Sequence, residues 1–319
     1  MRTGETVASY LNPKKYDVIP VEISKAGKWL TSSPVIKQIA SKIKTQKVST
    51  SDLVPVEKDE KAKVDVALLA LHGPGGEDGT IQGMLELLKI PYTCSGVLAS
   101  ALAMDKDKTK RLVALEGILV APHFILRKSE YNKNPGRFLA KIKGKVVIKP
   151  NRIGSSLGVT ITDKKEKIKN GIKDAFIHDE EIMIEAYISG RELTVPVLGN
   201  RDPKAMPVVE IIPKRGSKFF DFRAKYDPLF CDEIVPAEIP KNLANKLQEI
   251  SVIVHKLLDC RGVTRSDFIV TKTHQIYFLE INTIPGMTAN SLVPKSALAA
   301  GMSYSQFLDK LIQLARQKD

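Results

Sequence analysis

Hydrophobic and polar positions follow helical periods in some segments and strand-like periods in others, which predicts a mixed α/β fold. Residues 64–71 are almost continuously apolar, a pattern typical of a parallel strand covered on both faces. The pattern also favours a helix at 3–11, a strand at 16–23 and a helix at 80–88. The loop 72–76 ends the apolar strand, and open α/β sheets place their ligands at that end.

The rest of the chain alternates helical and strand-like patterns in the same way. We predict one helix at 100–116, with Lys106 and Lys110 one turn apart on it. Strands are predicted at 145–149, 181–188, 191–198 and 207–212, a loop around 219–236, and a helix at 242–258.

The strongest local signal is a hairpin with its turn centred at 273–274. In that register Asp267 lies opposite Glu280, and Arg265 lies opposite Asn282. Because strand side chains alternate between faces, all four are expected to project from one face of the sheet.

The chemistry of that face indicates a cation. Like charges directly opposite one another destabilise a sheet, so two carboxylates beside an amide oxygen suggest a hard metal ion between them. Oxygen-only ligands favour magnesium over zinc. The alternative is an ordinary polar face on which Arg265 neutralises an acid. Leu279 and Ile281 are expected on the opposite face, in the core.

Magnesium in proteins usually bridges carboxylates and substrate phosphates, so phosphate ligands are expected nearby. The loop 154–158, GSSLG, comes after a strand that ends at Lys149 and offers backbone N–H groups and two hydroxyls to an anion. A tight structural turn is the alternative. Lys106 and the aromatic-rich loop 219–226, which contains Lys225, add positive charge.

A second anion site is predicted near residues 290–294. Ser291 and Pro294 mark a helix start there, and free N–H groups at a helix N-terminus bind carboxylates. The alternative is simply a capped helix.

Composition narrows the class of protein. The length of 319 residues suggests about two domains, and 43% hydrophobic with 27% charged residues is typical of globular proteins. The net charge of +13 invites a polyanion: nucleic acid, an anionic membrane surface or a nucleotide. Cys94, Cys231 and Cys260 lack CxxC spacing, which favours free thiols. No signal peptide or transmembrane run is visible, so a cytoplasmic location is expected.

Taken in order, several segments resemble the D-alanine–D-alanine ligases, members of the ATP-grasp superfamily. The matching runs are HGPGGEDGT (72–80), IPYTCSG (90–96), MDK (104–106), IKPNRIGSSLG (148–158), 185–192, FFDFRAKY (219–226), 265–267 and LEINTIPGMTANSLVP (279–294). The resemblance implies an N-terminal parallel-sheet, Rossmann-like domain and, after it, two ATP-grasp subdomains that sandwich ATP. The corresponding domain ranges are 1–98, 99–185 and 186–319.

The activity implied by the resemblance is ATP-dependent joining of two D-alanines through an acyl phosphate, for peptidoglycan synthesis. The implied cofactors are ATP and two Mg²⁺ ions, with Mn²⁺ as an alternative metal. The implied partners are small-molecule substrates and a second copy in a homodimer, with no nucleic acid and no membrane. The alternatives are an ATP-grasp ligase of another amino or hydroxy acid and a catalytically impaired nucleotide-binding relative. A nucleic-acid binder lacks any recognised motif here.

The resemblance also assigns roles to matching positions. The implied nucleotide residues are Lys106 and Lys149 at the α- and β-phosphates, Ser155 and Ser156 in the phosphate loop, Lys225 at the γ-phosphate, Glu185, Tyr187 and Ile188 at adenine, and Glu192 at ribose. The implied catalytic and substrate residues are Arg265 and the Gly286 N–H at the oxyanion, His72 near the first D-alanine, Ser155 and Tyr226 in a loop-locking triad, and Ser291 and Leu292 at the second carboxylate. Asp267, Glu280 and Asn282 match metal ligands, and Tyr226 favours the dipeptide product over D-alanyl–D-lactate.

The chain departs from the family pattern at three places. Ile153 stands where a glutamate is usual, and Cys94 stands where glycine is common. The family normally opens with a strand and a glycine-rich loop, GGxSxExxVS. In this chain the first residues, MRTGETV, resemble the segment that follows that loop, so the strand and the loop have no counterpart in the given sequence. We therefore expect the natural protein to be longer. If the start is real, we expect poor stability and weak or no ligase activity despite an intact ATP site.

Overall fold

The computed structural model describes residues 2–23, 29–30, 64–214 and 231–317. The helices are α1 (Arg2–Tyr10), α2 (Thr80–Leu87), α3 (Val97–Met104), α4 (Lys106–Leu115), α5 (Lys128–Lys133), α6 (Pro135–Leu139), α7 (Lys165–His178), α8 (Lys241–Leu257), α9 (Leu292–Ala299) and α10 (Tyr304–Ala315). The strands are β1 (Glu22–Ile23), β2 (Trp29–Leu30), β3 (Leu119–Val120), β4 (His123–Arg127), β5 (Val146–Pro150), β6 (Thr160–Thr162), β7 (Glu181–Ala186), β8 (Arg191–Leu198), β9 (Lys204–Ala205), β10 (Val209–Pro213), β11 (Cys231–Ile234), β12 (Val263–Val270) and β13 (Ile276–Asn282). Within these ranges, none of the helices combines the length and the apolar character that a membrane crossing requires.

The larger sheet has the strand order β11–β10–β8–β12–β13–β3, with β9 paired to β8. Strand β12 is central and antiparallel to both neighbours, and seven of its eight residues are buried. The core on one side of this sheet includes Phe268, Phe278 and apolar residues of α3, α4 and α8. Because β12 is buried at the centre of the sheet, its backbone has a fixed position, and the polar side chains on it are held in place as well.

The smaller sheet has the order β4–β7–β5–β6, and all of its pairs are antiparallel. Helix α7 packs one face of it through Ile168, Ile172 and Ala175, all buried. A helix with an apolar stripe of this kind covers one face of a sheet and leaves the other available. The uncovered face carries Lys149 and Glu185.

The amino-terminal segment confirms the predicted helix and corrects the strand after it. Helix α1 packs on α10, where Tyr10 and Tyr304 make an edge-to-face contact with ring centroids 4.9 Å apart. The predicted strand at 16–23 is irregular except for β1, which pairs antiparallel with β2. Pro20 has no N–H to donate to a strand ladder, and Ile19 is exposed rather than packed in a core.

The apolar run 64–71 was expected to be a parallel strand covered on both faces, and this prediction is wrong for most of its length. Within the described residues, the run makes one isolated parallel bridge, between Ala67 and Tyr92. Apart from Leu69, which is buried, the run is half-buried or exposed. An apolar sequence gives the potential for burial, but a strand also needs neighbours on both edges.

The single helix predicted at 100–116 is two helices, α3 and α4, separated at Asp105. The backbone of Asp105 is extended, with φ −85° and ψ 97°, and its carboxylate accepts a hydrogen bond from the Lys108 N–H at 3.1 Å. Aspartate is a favoured N-cap, so this residue starts a new helix rather than continuing the previous one. The break makes Lys106 the first residue of α4.

The predicted hairpin register is confirmed where it matters for the site. Asp267 pairs with Glu280 and Arg265 pairs with Asn282. Toward the turn the register shifts by one residue, at a β-bulge, so that Phe268 pairs with Phe278. An extra residue in one strand disturbs the alternation of its side chains.

The bulge corrects the expected position of Leu279. This residue lies at the extra position and lines the same cleft as its neighbour Glu280, whereas Ile281 is buried in the core as expected. A second correction concerns the loop predicted around 219–236, in which residues 231–234 form strand β11. Residues 219–230 of that loop lie outside the described part of the chain. The domain ranges 1–98, 99–185 and 186–319 stay predictions.

The burial of Phe278 predicts a large stability effect. Phe278 has no exposed surface and contacts Phe268 with ring centroids 5.9 Å apart. Phe278→Ala should lower the free energy of unfolding by about 3–5 kcal/mol, measured by urea denaturation, because it leaves a cavity in the core. The control Leu298→Ala, at a side chain 67% exposed, should change it by less than about 0.5 kcal/mol. Equal effects for the two variants would contradict the assignment of the core.

Candidate active site

A cleft of about 400 Å³ lies between the two sheets. Strands β5 and β7 of the smaller sheet contribute to one wall, and β8, β10, β12 and β13 of the larger sheet contribute to the other. Ten of the predicted site residues line it: Lys106, Lys149, Ser155, Ser156, Glu185, Tyr187, Ile188, Glu192, Asp267 and Glu280. Residues far apart in the sequence are therefore brought to one cavity.

A buried carboxylate holds two lysines at the smaller sheet. Glu185 Oε1 accepts a hydrogen bond from Lys149 Nζ at 2.6 Å, and Glu185 Oε2 accepts one from Lys110 Nζ at 2.6 Å. Burial alone would raise the pKa of Glu185, but the two ammonium groups outweigh it and lower the pKa to about 2. Glu185 is therefore a carboxylate throughout the neutral range.

Lys106 lies at the junction of the two walls. Its ammonium donates to the Ile153 carbonyl at 2.8 Å and lies 3.8 Å from Glu280 Oε2. The backbone N–H of Lys106 also bonds to the Asn151 carbonyl, and Asn151 in turn donates to Asp105. The first turn of α4 is thus fixed to the end of β5.

The loop after β5 has an unusual backbone. Ser155 and Ser156 have φ of +58° and +56°, a left-handed conformation that non-glycine residues seldom adopt. Such strain clusters at ligand-binding segments, where the surrounding structure must support it. Both serines line the cleft, as the interpretation of a phosphate loop requires.

The walls on either side of this loop differ in character. Tyr187 and Ile188 line the cleft directly after β7, and Lys145 lies over the Tyr187 ring at 3.7 Å. Across the cleft, Glu192 and the paired Arg191 and Glu210 provide polar groups. An aromatic and aliphatic wall opposite a polar wall suits a flat base joined to a sugar.

At the larger sheet, a bidentate ion pair dominates. Arg265 Nε and Nη2 donate to the two carboxylate oxygens of Asp267, each at 2.8 Å. Thr194 Oγ1 donates to Asp267 Oδ1 at 2.5 Å, and Asn282 Nδ2 donates to Asp267 Oδ2 at 3.3 Å. Burial would lower the pKa of Arg265, but Asp267 and Glu280 outweigh it and raise the pKa. Arg265 is therefore a guanidinium cation.

The donor set around this pair fits a hard cation in chemistry. Asp267 and Glu280 contribute carboxylate oxygens to the cleft, and Asn282 adds an amide next to them. Arg265 neutralises Asp267, as the alternative interpretation of the sequence expected. In the described part of the chain, no three His, Cys, Asp or Glu residues cluster in a way that could hold a metal. A cation here would need ligands from its substrate.

Among the remaining predicted site residues, His72 lies near Arg265 of the ion pair. His72 as a whole residue is exposed, but its ring is partly desolvated by its neighbours. This desolvation and the nearby Arg265 lower the pKa of His72, while a hydrogen bond between the ring and the backbone of Ile284 opposes the shift. Gly286 lies against Ser291, whose hydroxyl oxygen would be 3.1 Å from a Cβ at that position. Ser291 is the N-cap of α9, and Leu292 is its first residue. The Leu292 side chain packs in the core, so only its backbone is available to a ligand.

Two family models match this sequence. One, described as the D-ala D-ala ligase N-terminus, matches residues 1–95, and the other, described as the D-ala D-ala ligase C-terminus, matches residues 112–313. The chain belongs to the D-alanine–D-alanine ligase family. The family and the α/β fold class predicted from the sequence are confirmed.

Individual relatives cover nearly the whole chain. The D-alanine–D-alanine ligase of Pelotomaculum thermopropionicum is 37% identical and is aligned over 99% of this chain and 92% of its own length. Among solved structures, the VanG D-Ala:D-Ser ligase from Enterococcus faecalis superposes with a TM-score of 0.80 at 34% identity, covering 98% of this chain and 94% of that one. The Bacillus anthracis D-alanine–D-alanine ligase complexed with ATP gives 0.74 at 32% identity, covering 98% and 91%.

Several predicted site residues lie outside the cleft or outside the described part of the chain. Lys225 and Tyr226 lie outside the described residues, and Asn282, Arg265, His72, Gly286, Ser291 and Leu292 do not line the cleft itself. Two functional candidates were missed by sequence reasoning, Lys110 and Glu77. Lys110 had a signal, its position one turn after Lys106, but its burial could not be predicted from a lysine-rich helix.

Glu77 lies in the loop that connects the apolar run 64–71 to helix α2. Its Oε2 accepts a hydrogen bond from the Gly73 N–H at 2.5 Å, and its carboxylate faces the charges of Arg265, Glu280 and Lys106. Desolvation raises the pKa of Glu77 to about 7, although the Gly73 bond and the two cations oppose it. No local pattern in the sequence indicates this shift, because the neighbouring charges come from distant segments.

The raised pKa of Glu77 predicts a pH-dependent cost to stability. Between its ordinary pKa and about 7 the folded metal-free protein binds more protons at Glu77 than the unfolded chain, so stability falls as pH rises through this range. Glu77→Gln removes this cost. Its advantage in unfolding free energy should grow with pH to about 2 kcal/mol above pH 7, allowing for solvent screening of a half-buried carboxylate.

The measurement is urea denaturation from pH 5 to 8 in the presence of a chelator and without nucleotide. Glu116→Gln, at an exposed position, is the matched control and should match the wild type. A constant difference between Glu77→Gln and the wild type at all pH values would show that Glu77 does not titrate as stated.

Proposed function

We propose that this protein joins two D-alanines to D-alanyl–D-alanine, with conversion of ATP to ADP and phosphate. The observation that carries the proposal is one cleft in which Lys149 of the smaller sheet, and Lys106 at the junction of the two walls, lie together with Asp267 and Glu280 of the larger sheet. The ligase prediction is confirmed by curated relatives named D-alanine–D-alanine ligase, at 34% to 44% identity. Among the described residues, nothing in the cleft favours another amino acid or hydroxy acid.

The nucleotide occupies the cleft in this proposal. Lys106 and Lys149 hold the α- and β-phosphates, Ser155 and Ser156 supply hydroxyl and N–H groups, and Lys225 reaches the γ-phosphate. The base lies between Tyr187 and Ile188 beside Glu185, and the ribose meets Glu192. Positive side chains around the phosphates offset their charge, which is the main requirement for phosphoryl transfer.

In the first step, a carboxylate oxygen of the first D-alanine attacks the γ-phosphorus. The bond to the β–γ bridging oxygen breaks, ADP leaves, and an acyl phosphate remains. His72 lies near this substrate. Its lowered pKa keeps the imidazole neutral at physiological pH, so it accepts or donates a hydrogen bond without repelling the ammonium group.

In the second step, the amine of the second D-alanine attacks the acyl carbon. The carbonyl oxygen gains negative charge in the tetrahedral intermediate, and Arg265 and the Gly286 N–H stabilise it. The departing phosphate takes the bonding electrons and the proton that the nitrogen loses, and the peptide bond forms. The N-terminus of α9, at Ser291 and Leu292, binds the carboxylate of the second substrate through free N–H groups and the helix dipole.

Two Mg²⁺ ions, or Mn²⁺ in their place, are the proposed metals. Asp267, Glu280 and Asn282 would hold them together with phosphate oxygens of the nucleotide. When bound, the ions would neutralise charge on the phosphates and help orient the γ-phosphoryl group.

Further parts of the proposal concern assembly and location. We propose a cytoplasmic homodimer in which residues 1–98 bind substrate, 99–185 cover the nucleotide and 186–319 carry the metal and oxyanion groups. Ser155 and Tyr226 belong to a triad that locks the loops over the site. Light scattering should report a mass twice that of one chain, and a monomeric mass would contradict the dimer.

Phosphate release from ATP tests the activity. We expect release with D-alanine alone, and less with L-alanine, D-lactate or D-serine, each alone or paired with D-alanine. The product should be D-alanyl–D-alanine by mass spectrometry. Release that never rises with D-alanine would contradict the proposal, and a preference for the D-alanine and D-serine pair would change the assigned second substrate.

Glu280→Gln tests the metal assignment. Removal of this carboxylate should lower Mg²⁺-dependent turnover by on the order of 100-fold or more, with an unchanged circular dichroism spectrum, because one anionic ligand is lost. The control Glu249→Gln, whose side chain is 59% exposed on α8, should retain full turnover. Normal turnover in Glu280→Gln would remove Glu280 from the metal site.

A further inference from the structure

Lys110 is a fully buried cation with no assigned role. It has no exposed surface, and it does not line the cleft. Its Nζ lies 2.6 Å from Glu185 Oε2, while Lys149 Nζ lies 2.6 Å from Glu185 Oε1. A buried lysine is rare unless it is paired, so this contact is the reason the side chain can stay in the interior.

Lys110, Lys149 and Glu185 together carry a net charge of +1 when all three are ionised. Lys110 and Lys149 contribute two and Glu185 removes one, so the group as a whole is cationic. Burial and the neighbouring Lys149 lower the pKa of Lys110 below its ordinary value, and the Glu185 carboxylate opposes this shift. The 2.6 Å contact with that carboxylate favours the ammonium form. Without Lys110, the Glu185 and Lys149 pair would be neutral.

The helix α4 places Lys110 and Lys106 on neighbouring turns, four residues apart on one face. Lys106 approaches Glu280 of the larger sheet at 3.8 Å, and Lys110 reaches Glu185 of the smaller sheet. The helix itself packs against β13 and β3. Lys110 therefore fixes a carboxylate of one cleft wall to an element that belongs with the other wall.

We propose that Lys110 is a positioning residue of the nucleotide site, which balances the Glu185 carboxylate so that Lys149 carries an unneutralised charge to the phosphates. Lys110 does not touch the nucleotide and acts through Glu185 and Lys149. The inference rests on the proposed function, because it takes the cleft to bind ATP.

The test compares ATP with adenosine, which lacks the phosphates. In Lys110→Met, Glu185 draws Lys149 into a neutral pair, so the dissociation constant for ATP should rise roughly tenfold while that for adenosine changes less than twofold. Both are measured by equilibrium dialysis, at a temperature where circular dichroism shows the variant to be folded. A purely structural Lys110 would lower the melting temperature and leave the ratio of the two constants unchanged, which would overturn the proposal.

The double variant Lys110→Met with Glu185→Gln removes both partners and frees Lys149 from the carboxylate. Its affinity for ATP, relative to adenosine, should be at least threefold better than that of Lys110→Met and within about threefold of the wild type. The double variant also tests the proposal if Lys110→Met does not fold, because glutamine at position 185 leaves no buried carboxylate that has lost one of its two lysine partners. In the double variant, a tenfold fall in the ratio of ATP affinity to adenosine affinity, relative to the wild type, would overturn the proposal.

The two proposals fail in different ways. If the wild type binds no ATP, the proposed function is wrong. If the wild type binds ATP and releases phosphate with D-alanine, but Lys110→Met keeps the wild-type ratio of ATP to adenosine affinity, only the role of Lys110 is wrong. The control Lys133→Met, at an exposed lysine of α5 that does not line the cleft, should behave as the wild type in both measurements.

Discussion

The site depends on holding cations in the interior before any ligand arrives. An isolated buried charge is costly, and each buried basic group of the cleft region has a carboxylate against it: Lys110 and Lys149 share Glu185, and Arg265 takes both oxygens of Asp267. Such pairs contribute little net stability, but breaking one leaves an uncompensated charge. The pairing therefore restricts where these side chains can lie, and so fixes the positions of the charged groups around the cleft.

The two ion-paired groups occupy different sheets, and α4 lies between them. Its first residue, Lys106, bonds to carbonyls of Asn151 and Ile153 at the end of β5, and its ammonium also approaches Glu280. The Asp105 cap that starts α4 is itself bonded to Asn151 and Arg152. A local choice of capping residue thus determines how the smaller sheet is attached to the larger one, and with it the relative position of the two cleft walls.

Sequence reasoning reached most of the fold and the composition of the cleft, for identifiable physical reasons. The pairing of Asp267 with Glu280 could be predicted from strand alternation and one assumption about the turn. The same reasoning failed for Leu279, because a bulge leaves no mark on the alternation of residue types, and for the run at 64–71, because a strand depends on neighbours that its own sequence does not specify. The contacts of Lys110 and Glu77 were out of reach, since both depend on packing between distant segments.

The bulge in the hairpin separates two registers within one pair of strands. On its outer side the pairing is set by the turn at residues 271–275, whereas on its inner side Asp267 keeps its place through continuous pairing of β12 with β8. The end of the hairpin that carries Asp267 and Glu280 is thus independent of the turn. The pairing of β12 within the central sheet, and not the length of the connecting loop, determines where the two carboxylates face each other. A change in the length or composition of the turn can therefore be absorbed at the bulge, while the acidic pair keeps its geometry.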